Sequence, residues 1–268
     1  MVNITFSTCW YNLRAKFPSE VYSQWIDNML SNVNNYYLVV YTDKDSYEFL
    51  KKYETEKIKI IVKEMTDFYN YQFKDNWIKN HEINHLLKDK VDWKVNMLWS
   101  EKIYFVDETI TKEYFKTEFY GWCDIGYFRN RKCDSSKQQL QNWPAEHKIE
   151  SLNKNKIYYA VVNNDSLYIN HLFMLIQNKN NNGLPVEPIP PNQISIAGGF
   201  FILHKDKIDW WKKTFNDKLQ LYFKHNYLVK DDQIIIIDCI LSNITNFQLT
   251  RENSSIYDNW FLFQRFLS

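Results

Sequence analysis

The sequence contains few cysteines, no excess of charge of either sign and no long apolar run, and each deficit excludes a class of protein. Its four cysteines form no Cys-x-x-Cys pair and have no spacing typical of a metal site, so we expect reduced, mostly buried thiols. The 33 basic and 32 acidic residues nearly cancel, which argues against a nucleic-acid or polyanion partner. The longest aliphatic run, Ile234–Ile237, ends at Asp238 and is far too short for a transmembrane segment.

The amino-terminal segment MVNITFSTCWYNLR has no basic leader and no long apolar stretch. We therefore expect no signal peptide and, with reduced thiols, a cytoplasmic protein. The 268 residues suffice for one large domain or two small ones. Because no internal repeat and no linker-like segment interrupts the chain, we expect one domain over residues 1–268.

The first sixty residues alternate between strand-like and helix-like patterns. Residues 3–8, 36–43 and 58–62 are rich in β-branched and aromatic residues, and helical patterns begin at Pro18-Ser19 and at Asp45. The run YYLVVYTD is typical of a parallel strand that is buried on both faces. This alternation predicts an α/β fold with a Rossmann-like, mostly parallel central sheet flanked by helices.

The later part of the chain continues with both kinds of element. Strands are predicted in KTEFYGWCDIG, over residues 156–162 and over residues 194–204, the last with a glycine pair inside it. Helical patterns cover residues 75–110 and 205–225, and another begins at Asp231. Residues 178–193 hold four of the six prolines and predict a loop long enough to be a functional flap.

Four stretches bring polar or glycine residues to strand and helix ends. Asp124 follows the apolar run FYGWC, and the carboxyl edge of an open α/β sheet is where ligands bind. A carboxylate there can hold a divalent cation or accept hydrogen bonds from a ribose, although it can also simply cap the next turn. The hydroxyl and aromatic groups of residues 7–11 could hold a base, the Gly198-Gly199 pair allows close approach of a ligand, and Asp231-Asp232-Gln233 begins a helix.

In this order and spacing the stretches resemble the GT-A glycosyltransferases and, more specifically, the HtrL/YibB-like family of sugar transferases. The resemblance spans most of the chain and is carried by TFSTCWYNLR, MLWSEK, WCDIGYFR, IAGGFF and DDQ. It implies a single domain of GT-A type, with a nucleotide-binding half over about residues 1–126 and an acceptor-binding half over about residues 127–268. It also implies a hexosyltransferase that moves a sugar from a nucleotide-sugar donor, UDP-linked, to a glycan or glycoconjugate acceptor.

The resemblance also implies roles for individual residues. Asp232 and Gln233 would be the catalytic pair, touching the transferred sugar at its reacting face. Asp124 would face the ribose and would also be the metal ligand. The residues implied to bind the nucleotide-sugar are Thr8, Tyr11, Arg14, Lys102, Asp124, Gly126, Gly198 and Gly199.

The chain departs from the family pattern at Gly126, where an Asp-X-Asp motif would have its second acid, the usual metal ligand. No histidine follows the Asp-Gln pair to complete a coordination sphere. Two alternatives are open. Either Mn²⁺ or Mg²⁺ is held by Asp124 together with diphosphate oxygens, or Lys102 and Arg14 neutralise the leaving group without a metal.

Two functions of other classes remain as alternatives. His81-Glu82-Ile83-Asn84-His85 matches the HExxH signature of zinc peptidases, in which both histidines share one helix face and the glutamate acts as base. No third ligand with family spacing follows it, and a solvated helix face is the simpler interpretation. A non-catalytic nucleotide- or sugar-binding module would bind the donor without ever releasing the diphosphate.

Overall fold

The computed structural model describes residues 3–268, which fold around one seven-stranded sheet. The strands are β1 (Ile4–Trp10), β2 (Tyr37–Thr42), β3 (Ile58–Val62), β4 (Phe119–Cys123), β5 (Ile157–Val161), β6 (Phe200–His204) and β7 (Phe247–Arg251). Their order across the sheet is β3-β2-β1-β4-β6-β5-β7. β6 runs antiparallel to both of its neighbours, and the other neighbouring strands are parallel. The predicted α/β fold, with a mostly parallel, Rossmann-like central sheet flanked by helices, is confirmed.

Helices occupy most of the connections between the strands. They are α1 (Ser19–Leu30), α2 (Lys44–Leu50), α3 (Lys74–Ile83), α4 (Trp93–Thr111), α5 (Lys137–Leu140), α6 (Glu146–Glu150), α7 (Ser166–Gln177), α8 (Ile208–Lys224), α9 (Asp232–Ser242) and α10 (Phe263–Phe266). The helical pattern predicted over residues 75–110 is thus two helices with a break between them. Within residues 3–268, no helix is long and apolar enough to cross a membrane.

The sheet separates two hydrophobic cores, and neighbouring residues of one strand belong to different cores. In β2, Leu38 and Val40 pack in the core that contains α1, whereas Val39 and Tyr41 pack in the core that contains α4. Successive side chains of a strand point to opposite faces, so an apolar run such as YLVVY is buried on both sides. Because both faces of these strands are buried, a ligand can reach only the strand ends.

One strand is shorter than its sequence pattern predicts. The pattern over residues 194–204 predicts a continuous strand with glycines inside it, but β6 contains only Phe200–His204, and Gly198 and Gly199 lie in a bend before it. In this bend the carbonyl of Gly198 accepts a hydrogen bond from the ammonium of Lys102, and the carbonyl of Gly199 accepts one from the backbone N–H of Asp124. The predicted division of the chain near residue 126 stays a prediction.

Candidate active site

A cavity of about 740 Å³ opens at the edge of the sheet where β1 and β4 end. β1 and β4 are parallel neighbours, so their carboxyl ends meet at this edge. Trp10 at the end of β1, Asp124 directly after β4 and Asp232 at the start of α9 all line the cavity. Its volume is that of a site for a small organic ligand, and its walls combine apolar and aromatic side chains with a few charged groups.

The ammonium of Lys102, which α4 carries, connects the charged groups of the cavity wall. Its Nζ lies 3.2 Å from Oδ1 of Asp124 and 3.1 Å from Oδ2 of Asp232. It also donates a hydrogen bond of 2.8 Å to the carbonyl of Gly198. Only 8% of the Lys102 side chain is exposed, so these contacts are shielded from solvent. Lys102 therefore fixes both acids and the glycine bend relative to one another.

Burial changes the pKa of Lys102 and the pKa of Asp232 in opposite directions. Burial alone would lower the pKa of Lys102, but attraction to Asp124 and Asp232 outweighs it and the pKa is raised, so the ammonium stays charged. For Asp232, burial is the largest influence; it raises the pKa to about 6 against the attraction of Lys102, with Asp231 and Asp124 adding to the rise. When both carboxylates are ionised, two negative charges and one positive charge give the cluster a net charge of −1.

The position of Asp124 is fixed by its neighbours in the sheet. Its backbone N–H donates to the carbonyl of Gly199 at 2.9 Å, and the indole Nε1 of Trp122 donates to its Oδ1 at 2.5 Å. The Asp124 side chain is nonetheless 43% exposed, and it lines the cavity. One carboxylate oxygen is thus held by the protein, and Oδ2 carries no hydrogen bond from residues 3–268.

The glycine pair leaves room for the two carboxylates. A Cβ atom on Gly199 would lie 2.9 Å from Oδ2 of Asp124, closer than real Cβ contacts allow. A Cβ atom on Gly198 would lie 3.0 Å from Cγ of Gln233 and 3.1 Å from Oδ2 of Asp232. A side chain at Gly199 would thus displace the Asp124 carboxylate, and one at Gly198 would press on Gln233 and Asp232.

Gly126 also lines the cavity, and the structure closes the place of the missing second acid. A Cβ atom on Gly126 would lie 2.8 Å from Cε3 of Trp25, whose ring packs there from α1. Any side chain at position 126 would have to displace this buried indole. The packing of α1 against the turn after β4 thus leaves no room at position 126 for the second acid of an Asp-X-Asp motif.

Eight of the ten residues implied by the resemblance line this one cavity. They are Tyr11, Lys102, Asp124, Gly126, Gly198, Gly199, Asp232 and Gln233. The hydroxyl of Tyr11, however, is engaged by the carbonyl of Lys63 at 2.8 Å. Thr8 is fully buried and does not reach the cavity surface, and Arg14 does not line the cavity because its guanidinium donates to the carbonyls of Lys88 and Val91.

The residues present do not fit a resident divalent cation. Oδ1 of Asp124 and Oδ2 of Asp232 are already paired with Lys102, which leaves a cation one oxygen of each carboxylate, Oδ2 of Asp124 and Oδ1 of Asp232. No group of three or more His, Cys, Asp or Glu side chains within residues 3–268 is arranged to hold a metal ion. Hard cations need about six oxygen ligands, of which these carboxylates would supply two at most.

The zinc-hydrolase interpretation of HEINH is wrong. α3 ends at Ile83, so His81 lies in the last turn of the helix while the exposed His85 lies beyond it, and the two do not share a helix face. The segment is also not a simple solvated face, because Asn80 and Asn84 are buried.

Three buried asparagines hold the chain just before α9, a feature that sequence analysis missed. The Nδ2 atoms of Asn80 and Asn96 each donate to the carbonyl of Val229 at 2.8 Å, and Asn84 donates to the carbonyl of Lys230 at 3.0 Å. Oδ1 of Asn80 accepts from the backbone N–H of Val229 at 2.8 Å. These bonds fix the approach to Asp232. Asparagines within helical patterns were the available signal, since polar residues on a buried helix face need partners.

Arg129 and Lys16 are further cavity residues that the sequence did not single out. Nε of Arg129 donates to the carbonyl of Gly126 at 2.9 Å, and Nζ of Lys16 lies 4.8 Å from the centre of the Trp99 ring. The end of the proline-rich segment also reaches the cavity, through Asn192 and Gln193, and Ile194 directly after it lines the cavity as well. The segment predicted as a flap is thus a loop, and its end forms part of the cavity wall.

No protein-family model and no curated protein matches the chain. Among solved structures, it is similar to 4-diphosphocytidyl-2C-methyl-D-erythritol synthase from Anaerococcus prevotii DSM 20548. The sequence identity is 11%, the match covers 96% of this chain and 92% of that chain, and the TM-score is 0.41. A likeness at this level assigns no function to the chain and no role to any of its residues.

Proposed function

We propose that the chain is a glycosyltransferase of GT-A type that transfers a hexose from a nucleotide-sugar, UDP-linked, to a glycan or glycoconjugate acceptor. The observation that carries the proposal is the convergence of Asp124, Asp232 and the Gly198-Gly199 bend on Lys102 in the wall of one cavity. Fixed polar groups in a cleft that also has apolar and aromatic walls are what a small-molecule substrate requires. The cavity lies at the carboxyl edge of parallel strands, where open α/β sheets bind ligands.

In this proposal the donor lies along the β1–β4 edge. The half-buried ring of Trp10 offers a face on which a base can stack, and it is steadied by Tyr22, whose ring centroid lies 5.0 Å away. Asp124 presents an exposed carboxylate oxygen that can accept hydrogen bonds from the ribose hydroxyls. The resemblance to the HtrL/YibB-like family belongs to the same proposal, because residues from each of its five stretches line this cavity.

The proposed reaction breaks the bond between the anomeric carbon and the diphosphate oxygen and forms a bond to an acceptor hydroxyl oxygen. The diphosphate leaves with the bonding electron pair, so negative charge grows on it while the sugar becomes cation-like. In an inverting enzyme Asp232 takes the proton of the acceptor hydroxyl. In a retaining one the departing diphosphate oxygen takes that proton, and the negative charge of Asp232 stabilises the cation-like sugar. Both alternatives need Asp232 in its ionised form.

We propose that the acceptor enters through the part of the cavity formed by residues after 127. This part is lined by Asn192 and Gln193 at the end of the proline-rich loop and by Trp260 near the carboxyl terminus. Amides and an indole are suited to a sugar acceptor, since they combine hydrogen-bonding groups with an apolar ring face.

The test of the proposal is a thermal-shift screen of nucleoside diphosphates, followed by an assay for UDP release from UDP-hexoses. Saturating UDP, at about 100 times its Kd, should raise Tm by roughly 5–10 °C by mass action. Asp124→Ala should abolish the shift, whereas Asp67→Ala, at an exposed site away from the cavity, should retain it. Absence of a shift with every nucleotide would refute the proposal, and binding without any UDP release would identify a non-catalytic binding module.

A pH dependence follows from the buried state of Asp232. Because the pKa of Asp232 is raised to about 6, we expect kcat/KM to rise about tenfold per pH unit below pH 6 and to level off above it. The effect on folding has the opposite sign: a carboxyl with a raised pKa stabilises the fold most at low pH and loses that contribution as pH rises through about 6. A pH–rate profile checks the expected change in kcat/KM, and urea unfolding at the same pH values checks the expected change in stability. A flat profile between pH 5 and 7 would contradict this role of Asp232.

A further inference from the structure

The charged cluster at the cavity wall cannot by itself attract a diphosphate. Lys102 is outweighed by Asp124 and Asp232, which leaves a net charge of −1 facing an anionic ligand. Two other cations of the cavity wall are also neutralised. Lys230 lies 2.6 Å from Asp231, and Arg131 pairs with both Asp134 and Asp258. A donor with two charged phosphates therefore needs positive charge from another group.

Arg129 is a cavity cation without such a partner. Within residues 3–268, no carboxylate lies within 4.0 Å of its guanidinium, and only its Nε is engaged, by the carbonyl of Gly126 at 2.9 Å. The guanidinium carbon lies 4.1 Å from the centre of the Trp25 ring and 4.8 Å from that of Phe261. The group is thus held in place by stacking and by one backbone contact, while both Nη atoms keep their hydrogens free.

We propose that Arg129, and not a divalent cation, binds the diphosphate of the donor. This inference rests on the proposed transferase function. Arg129 follows the turn after Asp124 and donates to the carbonyl of Gly126 within that turn, and both Arg129 and Asp124 line the cavity. A guanidinium presents two parallel N–H donors that match two phosphate oxygens, and it retains its proton at any pH the protein tolerates.

The surroundings of Arg129 favour the binding of an anion over the binding of a metal. Burial and then the nearby Arg131 lower the pKa of Arg129, which means that its charge is under-compensated and gains from an anionic partner. The place where a metal-binding acid would stand is closed by Trp25 against Gly126, and the same indole carries Arg129 on its ring. The position of the Trp25 ring thus excludes an acidic side chain at position 126 and holds the guanidinium of Arg129 at the cavity.

Lys16 and Lys90 also line the cavity without a carboxylate within 4.0 Å in the described chain, but both side chains are exposed. A lysine on a mobile four-carbon stem is a point charge that loses more conformational freedom on binding. We therefore expect these two lysines to add to the positive electrostatic potential of the cavity, and Arg129 to contribute most of the affinity for the diphosphate.

The first test is calorimetric titration with inorganic pyrophosphate in the presence of EDTA. The wild-type protein should bind it, and Arg129→Met, which keeps an apolar stem on Trp25, should bind about 10- to 100-fold more weakly. Arg129→Lys should lie between the two, and Arg251→Met, at the exposed end of β7, should bind like wild type. Circular dichroism verifies that each variant is folded. Absence of pyrophosphate binding to the wild type, or equal binding by Arg129→Met, would overturn the inference.

The second test measures Mn²⁺ binding to the wild-type protein by electron paramagnetic resonance, and needs no variant. The protein should bind no Mn²⁺ at metal concentrations up to about 1 mM. With saturating UDP-hexose present, the mixture should bind no more Mn²⁺ than the nucleotide-sugar binds without the protein. Stoichiometric Mn²⁺ in the complex would overturn the inference while leaving the transferase intact. Conversely, pyrophosphate binding through Arg129 without turnover of any nucleotide-sugar would overturn the transferase proposal and leave the anion site standing.

Discussion

Asp232→Asn is expected to lower the turnover number for sugar transfer by about 10²- to 10⁴-fold, with a much smaller effect on donor affinity. Asparagine has the shape of aspartate and can still accept a hydrogen bond from Lys102, so the cavity keeps its geometry. It can neither take the proton of an acceptor hydroxyl nor offset the charge of a cation-like sugar. The measurements are kcat and KM from UDP release, with the Kd of UDP from calorimetry.

The matched control is Asp238→Asn on the same helix. Asp238 is also buried, pairs with Lys218 at 3.0 Å and accepts a hydrogen bond from Tyr222 at 2.9 Å, but it does not line the cavity. Removing its charge should lower the free energy of unfolding and leave the turnover number unchanged, since an unpaired buried cation costs stability wherever it lies. Equal losses of turnover in both variants would show that the effect of Asp232→Asn is one of folding and not of catalysis.

Strands such as β2 could be predicted because they are apolar on both faces, whereas the edge strand β7, with polar and partly exposed residues, was not predicted. The run around Val39 and Tyr41 has no polar residue that would be compatible with a solvent-facing side, and such a run can be buried only between two layers of helices. The position of Asp124 followed from the same pattern, since the first polar residue after a buried strand must lie at its end. Lys102 came only from the resemblance, because a lysine inside an amphipathic helix is usually solvated.

The choice between arginines could not be made from the sequence. Arg14 and Arg129 both follow strand-like segments, and the resemblance favoured Arg14. Tertiary contacts decide the matter: Arg14 donates to two backbone carbonyls of the segment before α4, whereas Arg129 stacks on Trp25 and lines the cavity. The sequence also could not show why position 126 is a glycine, because the indole of Trp25 that excludes a side chain there comes from α1, far away in the chain.

Gly199→Ala is expected to lower kcat/KM for the donor by about 10- to 100-fold, because a displacement of about 1 Å in a positioned group has effects of this size. The added methyl group would lie 2.9 Å from Oδ2 of Asp124 and must push the carboxylate away. The carboxylate cannot move freely, since its Oδ1 is held by Trp122 at 2.5 Å and by Lys102 at 3.2 Å. The loss should therefore appear mainly as a weaker Kd for UDP, measured by calorimetry.

The neighbouring glycine predicts a different kinetic result for the same chemical change. A methyl group on Gly198 would meet Gln233 at 3.0 Å and Asp232 at 3.1 Å, so Gly198→Ala should lower kcat more than it weakens UDP binding. Gly183→Ala is the control: its φ of +78° makes alanine strained by roughly 1–2 kcal/mol, but nothing lies within 4 Å of the added atom. That variant should lose stability and keep its activity. If Gly198→Ala and Gly199→Ala have identical kinetic effects, the two acids do not divide binding and catalysis between them, because each methyl group displaces only one of them.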